Sequence, residues 1–156
     1  MKKRGARITH RAKAAPGIVA ISIGPEFETH LRTSVLVFRA GYATRHHYLD
    51  LCDTHDLMRI AIEARSLDEP STLAVLDLVA VALENIADRY ANCGKFGTSG
   101  EEYAALQLLA DTCLNFWSRH SGALFRHAYL ELRRIRAEEQ TRIKAEAVAK
   151  AMEQAA

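Results

Sequence analysis

Apolar side chains recur every three to four residues through most of this chain, and the places where that rhythm stops divide it into elements. Phe27, Leu31, Val35 and Phe38 set a first helical phase. Pro25 suits its opening position, Glu26 and Glu28 suit its first turn, and Gly41 can end it in a left-handed cap. Thr44 is the N-cap expected for a second helix over residues 45–65. There Tyr48, Leu51, His55, Met58 and Ile62 fall within about 80° of one another, a core stripe that includes one histidine. Leu49, Leu57 and Ile60 lie on the far side and offer a second contact face. A third helix, over residues 71–92, has only Asp77 polar between Leu73 and Leu83. A helix apolar nearly all round belongs at the centre of a bundle, so this one is expected there. Asn92-Cys93-Gly94 ends it.

Gly94–Gly100 reads as a connector. Thr98 or Ser99 can cap the next helix, with Glu101 and Glu102 favourable at its start. Tyr103, Leu106, Ala110, Cys113 and Trp117 carry the phase forward. Ser121-Gly122 either breaks or bends it, and Leu124, Ala128, Leu132 and Ile135 resume it. Beyond Ala137 the chain is mostly Ala, Glu, Lys and Arg. Helix propensity and i,i+4 pairs such as Glu138–Arg142 and Glu146–Lys150 favour a helix that projects or frays unless a partner takes it. The exception to the helical period is Ile18–Ile23, a β-branched run between Pro16-Gly17 and Gly24-Pro25 that favours an extended segment. A lone strand leaves backbone groups unpaired and needs a mate. The expectation is therefore an all-α bundle of four to five helices with a short extended segment before it. Residues 1–17 form a basic arm, 18–136 the helical domain and 137–156 a charged extension.

Charge refines this picture. The net formal charge of +2 hides a basic beginning, an acidic middle and a mildly basic end. Lys2, Lys3, Arg4, Arg7, Arg11 and Lys13 stand in the first fifteen residues with no acid among them. Residues 46–111 carry a net −8 and residues 112–156 a net +3. Six cations in an arm could bind phosphates in a salt-sensitive way, or simply keep the chain solvated. Cys52, Cys93 and Cys113 are odd in number and widely spaced, which argues against a disulfide framework or a zinc site and fits a reducing cytoplasm. No run of eighteen apolar residues occurs, so no membrane span is expected. Pro16-Gly17 and Gly24-Pro25-Glu26 interrupt what would otherwise resemble a secretory leader.

Three constellations are candidates for chemistry. His46, His47, Asp50, Cys52, Asp53, His55 and Asp56 crowd one helix, and His46, Asp50 and Asp53 share a face. A di-iron bundle would need Glu-x-x-His motifs on paired helices, and no second motif exists, so an acidic solvated face with a core His55 is the reading. Gly94-Lys-Phe-Gly-Thr-Ser-Gly100 has an anion-binding composition. It lacks the phosphate-loop order, and Glu101 and Glu102 would repel a phosphate. Most unusual are Arg119-His120, Arg126-His127 and Arg133-Arg134, repeating every seven residues. On one continuous helix each pair would advance about 10 Å and turn about 20°, making a basic stripe that Arg136 extends. No hydrolase elbow, zincin motif or dinucleotide fingerprint is present, and no cofactor is assigned.

The order of Ile18–Ile23, Gly24-Pro25-Glu26, a helix, the Gly41-Tyr42-Ala43-Thr44 turn and a second helix resembles the ribbon-helix-helix repressors. That resemblance implies a dimer whose paired strands enter the major groove. Family strands read bases with polar side chains, whereas this strand offers only Ser22. The leading expectation is a non-enzymatic protein-binding module: a small adaptor, regulator or inhibitor of the kind mobile elements and phages encode. It would act through its C-terminal helix and through Arg119, His120, Arg126, His127, Arg133, Arg134 and Arg136, with self-association expected from the two-sided second helix. The alternative is a nucleic-acid accessory protein using Lys2, Lys3, Arg4, Arg7, Arg11 and Lys13 together with the stripe.

Overall fold

A computed structural model describes residues 25–154. The basic arm, the extended segment Ile18–Ile23 and the ribbon-helix-helix resemblance that rests on that segment lie outside these residues. The described residues form an all-α bundle of five helices: α1 Pro25–Arg39, α2 Arg45–Arg65, α3 Pro70–Cys93, α4 Gly100–Arg119 and α5 Gly122–Gln154.

Helix boundaries follow local chemistry. Gly41 and Gly94 take the left-handed backbone, at φ of 76° and 68°, that glycine adopts without strain, and they close α1 and α3. Ser66 does the same for α2 at φ 46°, a conformation that costs a residue with a Cβ. Thr44 opens α2, and its N–H donates to His47 Nδ1 at 3.1 Å, the task a glutamate usually performs three residues into a helix. Ser99 and Glu102 cap α4 reciprocally. The Glu102 N–H donates to Ser99 Oγ at 3.2 Å, and the Ser99 N–H donates to Glu102 Oε2 at 2.7 Å.

The core differs from the sequence expectation in its centre. α2, not α3, is the hub, since it packs on α1, α3, α4 and α5. Both sides of α2 are used. Leu51, Met58 and Ile62 are buried on the expected stripe; on the far side Leu57 is buried and Ile60 partly so, while Leu49 is 42% exposed. α3 is a wall packed on α4 and α2. Leu76, Val79, Leu83 and Ile86 are buried, but Leu78 and Val81 are more than half-way to full exposure or at it (50% and 56%). The apolar run on α3 thus serves one buried face only. Among the described residues α3 is also the one helix long and apolar enough, by length and composition, to cross a membrane, although Asp77 and Glu84 interrupt its apolar run.

Trp117, Phe116 and Phe38 anchor the interior, each essentially inaccessible. Burying a side chain of this kind contributes about 2 kcal/mol relative to leaving it in water. The Gly94–Gly100 connector is pinned rather than loose. Phe96 is buried, stacks on Tyr90 with ring centroids 4.1 Å apart and on Tyr48 at 5.4 Å, and Arg89 donates to the Gly97 carbonyl at 2.6 Å.

Candidate functional site

α4 and α5 are separate helices. His120 takes extended backbone (φ −112°, ψ 159°), and the Ser121 hydroxyl and carbonyl accept from the Leu124 N–H as α5 begins. A serine followed by a glycine favours this restart over a bend. The seven-residue repeat of basic pairs therefore does not run as one line, because its first pair sits before the break.

That first pair is drawn inward. Arg119 grips Glu69 through both terminal nitrogens, at 2.9 and 3.2 Å, and His120 Nε2 lies 3.2 Å from the same carboxylate. Thr72 donates to Glu69 at 2.9 Å. Burial alone would raise the Glu69 carboxyl. The hydrogen bonds from Arg119, Thr72 and His120 outweigh it and hold the group below the usual carboxylate range. This cluster ties the start of α3 to the end of α4.

The remaining stripe residues are on α5. Leu124, Ala128 and Leu132 are buried against the bundle, and Phe125 meets Trp117 edge-on at 5.0 Å. Arg136 reaches α2, donating to Asp53 at 2.9 Å and to Asp56 at 2.8 Å. Among the described residues this clamp is the last ion pair joining α5 to another helix, and every described side chain from Ala137 to Glu153 is exposed. Arg134 pairs along the helix with Glu131 and Glu138. Among the described residues the ion pairs of the extension are Arg134–Glu138, Arg136–Glu139 and Arg142–Glu146, not the expected Glu138–Arg142 and Glu146–Lys150. Arg126, His127 and Arg133 are exposed and make no ion pair among the described residues.

So the seven candidates fall into two groups. Arg119, His120, Arg134 and Arg136 are engaged within the chain, while Arg126, His127 and Arg133 face solvent. Beside the free cations stand exposed apolar side chains that sequence reasoning did not single out. Leu130 is 57% accessible, and Ile143, Val148 and Met152 are 54%, 60% and 70% accessible. Thr141, Ala145, Val148 and Met152 are spaced four, three and four residues apart, so they share one side of the projecting helix. That spacing is legible in the sequence, although its short side chains conceal it.

Of the crowded acidic face on α2, His55 is buried as expected, with Nε2 3.1 Å from the Leu76 carbonyl and Nδ1 2.8 Å from Asp56. His47 is occupied at the Thr44 cap. His46 and Asp50 meet His30 of α1. A groove of about 180 Å³ opens beside them, lined by Phe27, Leu31, Leu57, Phe125 and Tyr129.

No family model matches the chain, and no curated protein or solved structure matches it.

Proposed function

We propose that this chain is a non-enzymatic protein-binding module that presents the outer half of α5 to a partner. The observation that carries the reading is the helix beyond Arg136. It runs about 26 Å with every described side chain exposed, Ile143, Val148 and Met152 among them. Val148 and Met152 stand four residues apart on the side that Thr141 and Ala145 share, and anchors at three- and four-residue spacing suit a partner's apolar groove. The unpaired Arg126 and Arg133 and the exposed Lys144 favour an acidic rim on that partner.

The test compares the full chain with a form ending at Arg136 and with a Val148→Glu/Met152→Glu variant, each used as bait in an extract of its own host. Partners retained by the full chain and lost by both variants, whose circular dichroism matches the full chain over the bundle, are the expected result. Equal capture by the truncated form rejects the reading. Sedimentation of the same three proteins shows whether the partner is a second copy, in which case the full chain alone dimerises.

The unpaired cations also favour a second reading, contact with nucleic-acid phosphates. Arg126 and Arg133 lie one heptad apart on the same side of α5, about 10 Å along its axis. A mobility shift that weakens steeply with salt, and weakens further on deleting residues 2–13, supports it. The absence of any shift at low salt removes it.

A further inference from the structure

We propose that His30, His46 and Asp50 bind a divalent first-row transition cation of the zinc type and so tie α1 to α2. His46 and Asp50 stand four residues apart on one side of α2, and α1 brings His30 to the same point. His30 Nε2 lies 3.0 Å from Asp50 Oδ2, and His46 Nε2 lies 3.7 Å from that same oxygen. All three candidate ligand atoms lie within 4.8 Å of one another.

These separations suit a shared cation. Zinc holds imidazole nitrogen and carboxylate oxygen at about 2.0–2.2 Å. Adjacent ligand atoms are then about 3.4 Å apart in a tetrahedral site and about 3 Å apart in an octahedral one. The two His–Asp separations bracket that range. Two imidazoles and one carboxylate favour zinc, cobalt, nickel or copper over calcium and magnesium, which prefer oxygen throughout. The two rings are exposed and Asp50 is half-buried, so the coordination positions left over are open to water.

Without a cation, the His30–Asp50 contact is a hydrogen bond, with the Nε2 proton shared toward the carboxylate. Binding frees each Nε2 lone pair for the metal by placing the ring proton on Nδ1. His47 is excluded from the set because its Nδ1 accepts the Thr44 N–H. Asp53 is excluded because Arg136 holds it. Among the described residues neither His30 nor His46 has a hydrogen-bond partner for its other ring nitrogen, and ligands without such orienting bonds bind less tightly. An affinity in the micromolar range is therefore expected.

The experiment uses the full chain, stripped of metal and titrated with zinc by calorimetry, then with cobalt by visible absorption. One cation per chain is expected, together with a rise in melting temperature, since binding to the folded state alone stabilises it. His30→Ala, His46→Ala and Asp50→Asn each weaken zinc binding by at least about tenfold. His127→Ala, on exposed α5, leaves it unchanged. No binding by the full chain up to about millimolar zinc overturns the proposal. So does unaltered binding in the His30→Ala and His46→Ala variants, which would place the cation elsewhere.

Discussion

Replacing Glu102 by glutamine keeps the shape of a nearly buried side chain and removes its charge. The carboxylate has three attachments. Arg89 donates to it twice, at 2.8 and 2.9 Å, and the Ser99 N–H donates once, at 2.7 Å. A hydrogen bond to a charged group contributes about 1.5–3 kcal/mol when its partners are shielded from water. Arg89 is 38% accessible, so solvent recovers part of the loss. Glu102→Gln is then expected to cost about 1.5–2 kcal/mol. Glu102→Ala also loses the return bond of the cap, worth about 1 kcal/mol, and should cost about 3 kcal/mol. Arg89→Ala leaves the carboxylate with only Ser99 and should cost about 2–3 kcal/mol.

Urea unfolding of the two single variants and the double variant Arg89→Ala/Glu102→Gln gives the coupling directly. A coupling of about 1.5 kcal/mol supports the reasoning. One below about 0.5 kcal/mol would place the pair among ordinary surface ion pairs and refute it. The pH dependence supplies a second check. Arg89 holds the Glu102 carboxyl below the usual carboxylate range against the opposing effect of burial. A group whose folded pKa is depressed contributes fully above its unfolded value and loses that contribution as pH falls through the folded one. The advantage of the native chain over Glu102→Gln should therefore be complete at neutral pH and shrink below about pH 4.

Four other outcomes are expected. Ser34→Ala should raise stability by about 1 kcal/mol, because the Ser34 hydroxyl is fully buried without a hydrogen-bond partner among the described residues. A melting temperature below that of the native chain would contradict this. Ser66→Gly should also stabilise, by a few tenths to about 1 kcal/mol in urea unfolding, by relieving the left-handed C-cap of α2. Thiol labelling of the folded chain should mark exposed Cys93 first and leave Cys113 unreacted, since burial pushes the Cys113 thiol up to about 12. Equal rates for the two would show that the core opens readily. Finally, removing residues 137–156 should leave the melting temperature within about 2 °C of the full chain, because the buried side chains among the described residues all precede that segment.

The helices and their ends were legible in the sequence because their causes are local. Gly41 and Gly94 stop helices by backbone conformation, and Thr44, Ser99 and Glu102 start them with side chains a turn away. What periodicity could not supply was which helices meet. The apolar run of α3 suggested a central position, but a run of small and branched apolar residues does not say how many neighbours cover it. Leu78 and Val81 proved to face solvent. Phe96 lay in a glycine-rich stretch with the composition of a loose loop, and only the approach of Tyr48 and Tyr90 gives it a pocket. His30 carried no signal of its own, since its meeting with His46 and Asp50 depends on how α1 crosses α2. The basic stripe depended on helix continuity, which Ser121-Gly122 left undecided and the cap at Ser121 resolves.

α5 is 33 residues long, about 50 Å from end to end, and only its first half is seated. Arg136 marks the boundary, gripping Asp53 and Asp56. A force applied near Met152 therefore works on a long arm whose fulcrum is that grip, and the strain arrives on α2, the helix in touch with the other four. The molecule has the mechanical layout of a lever hinged on its own axle.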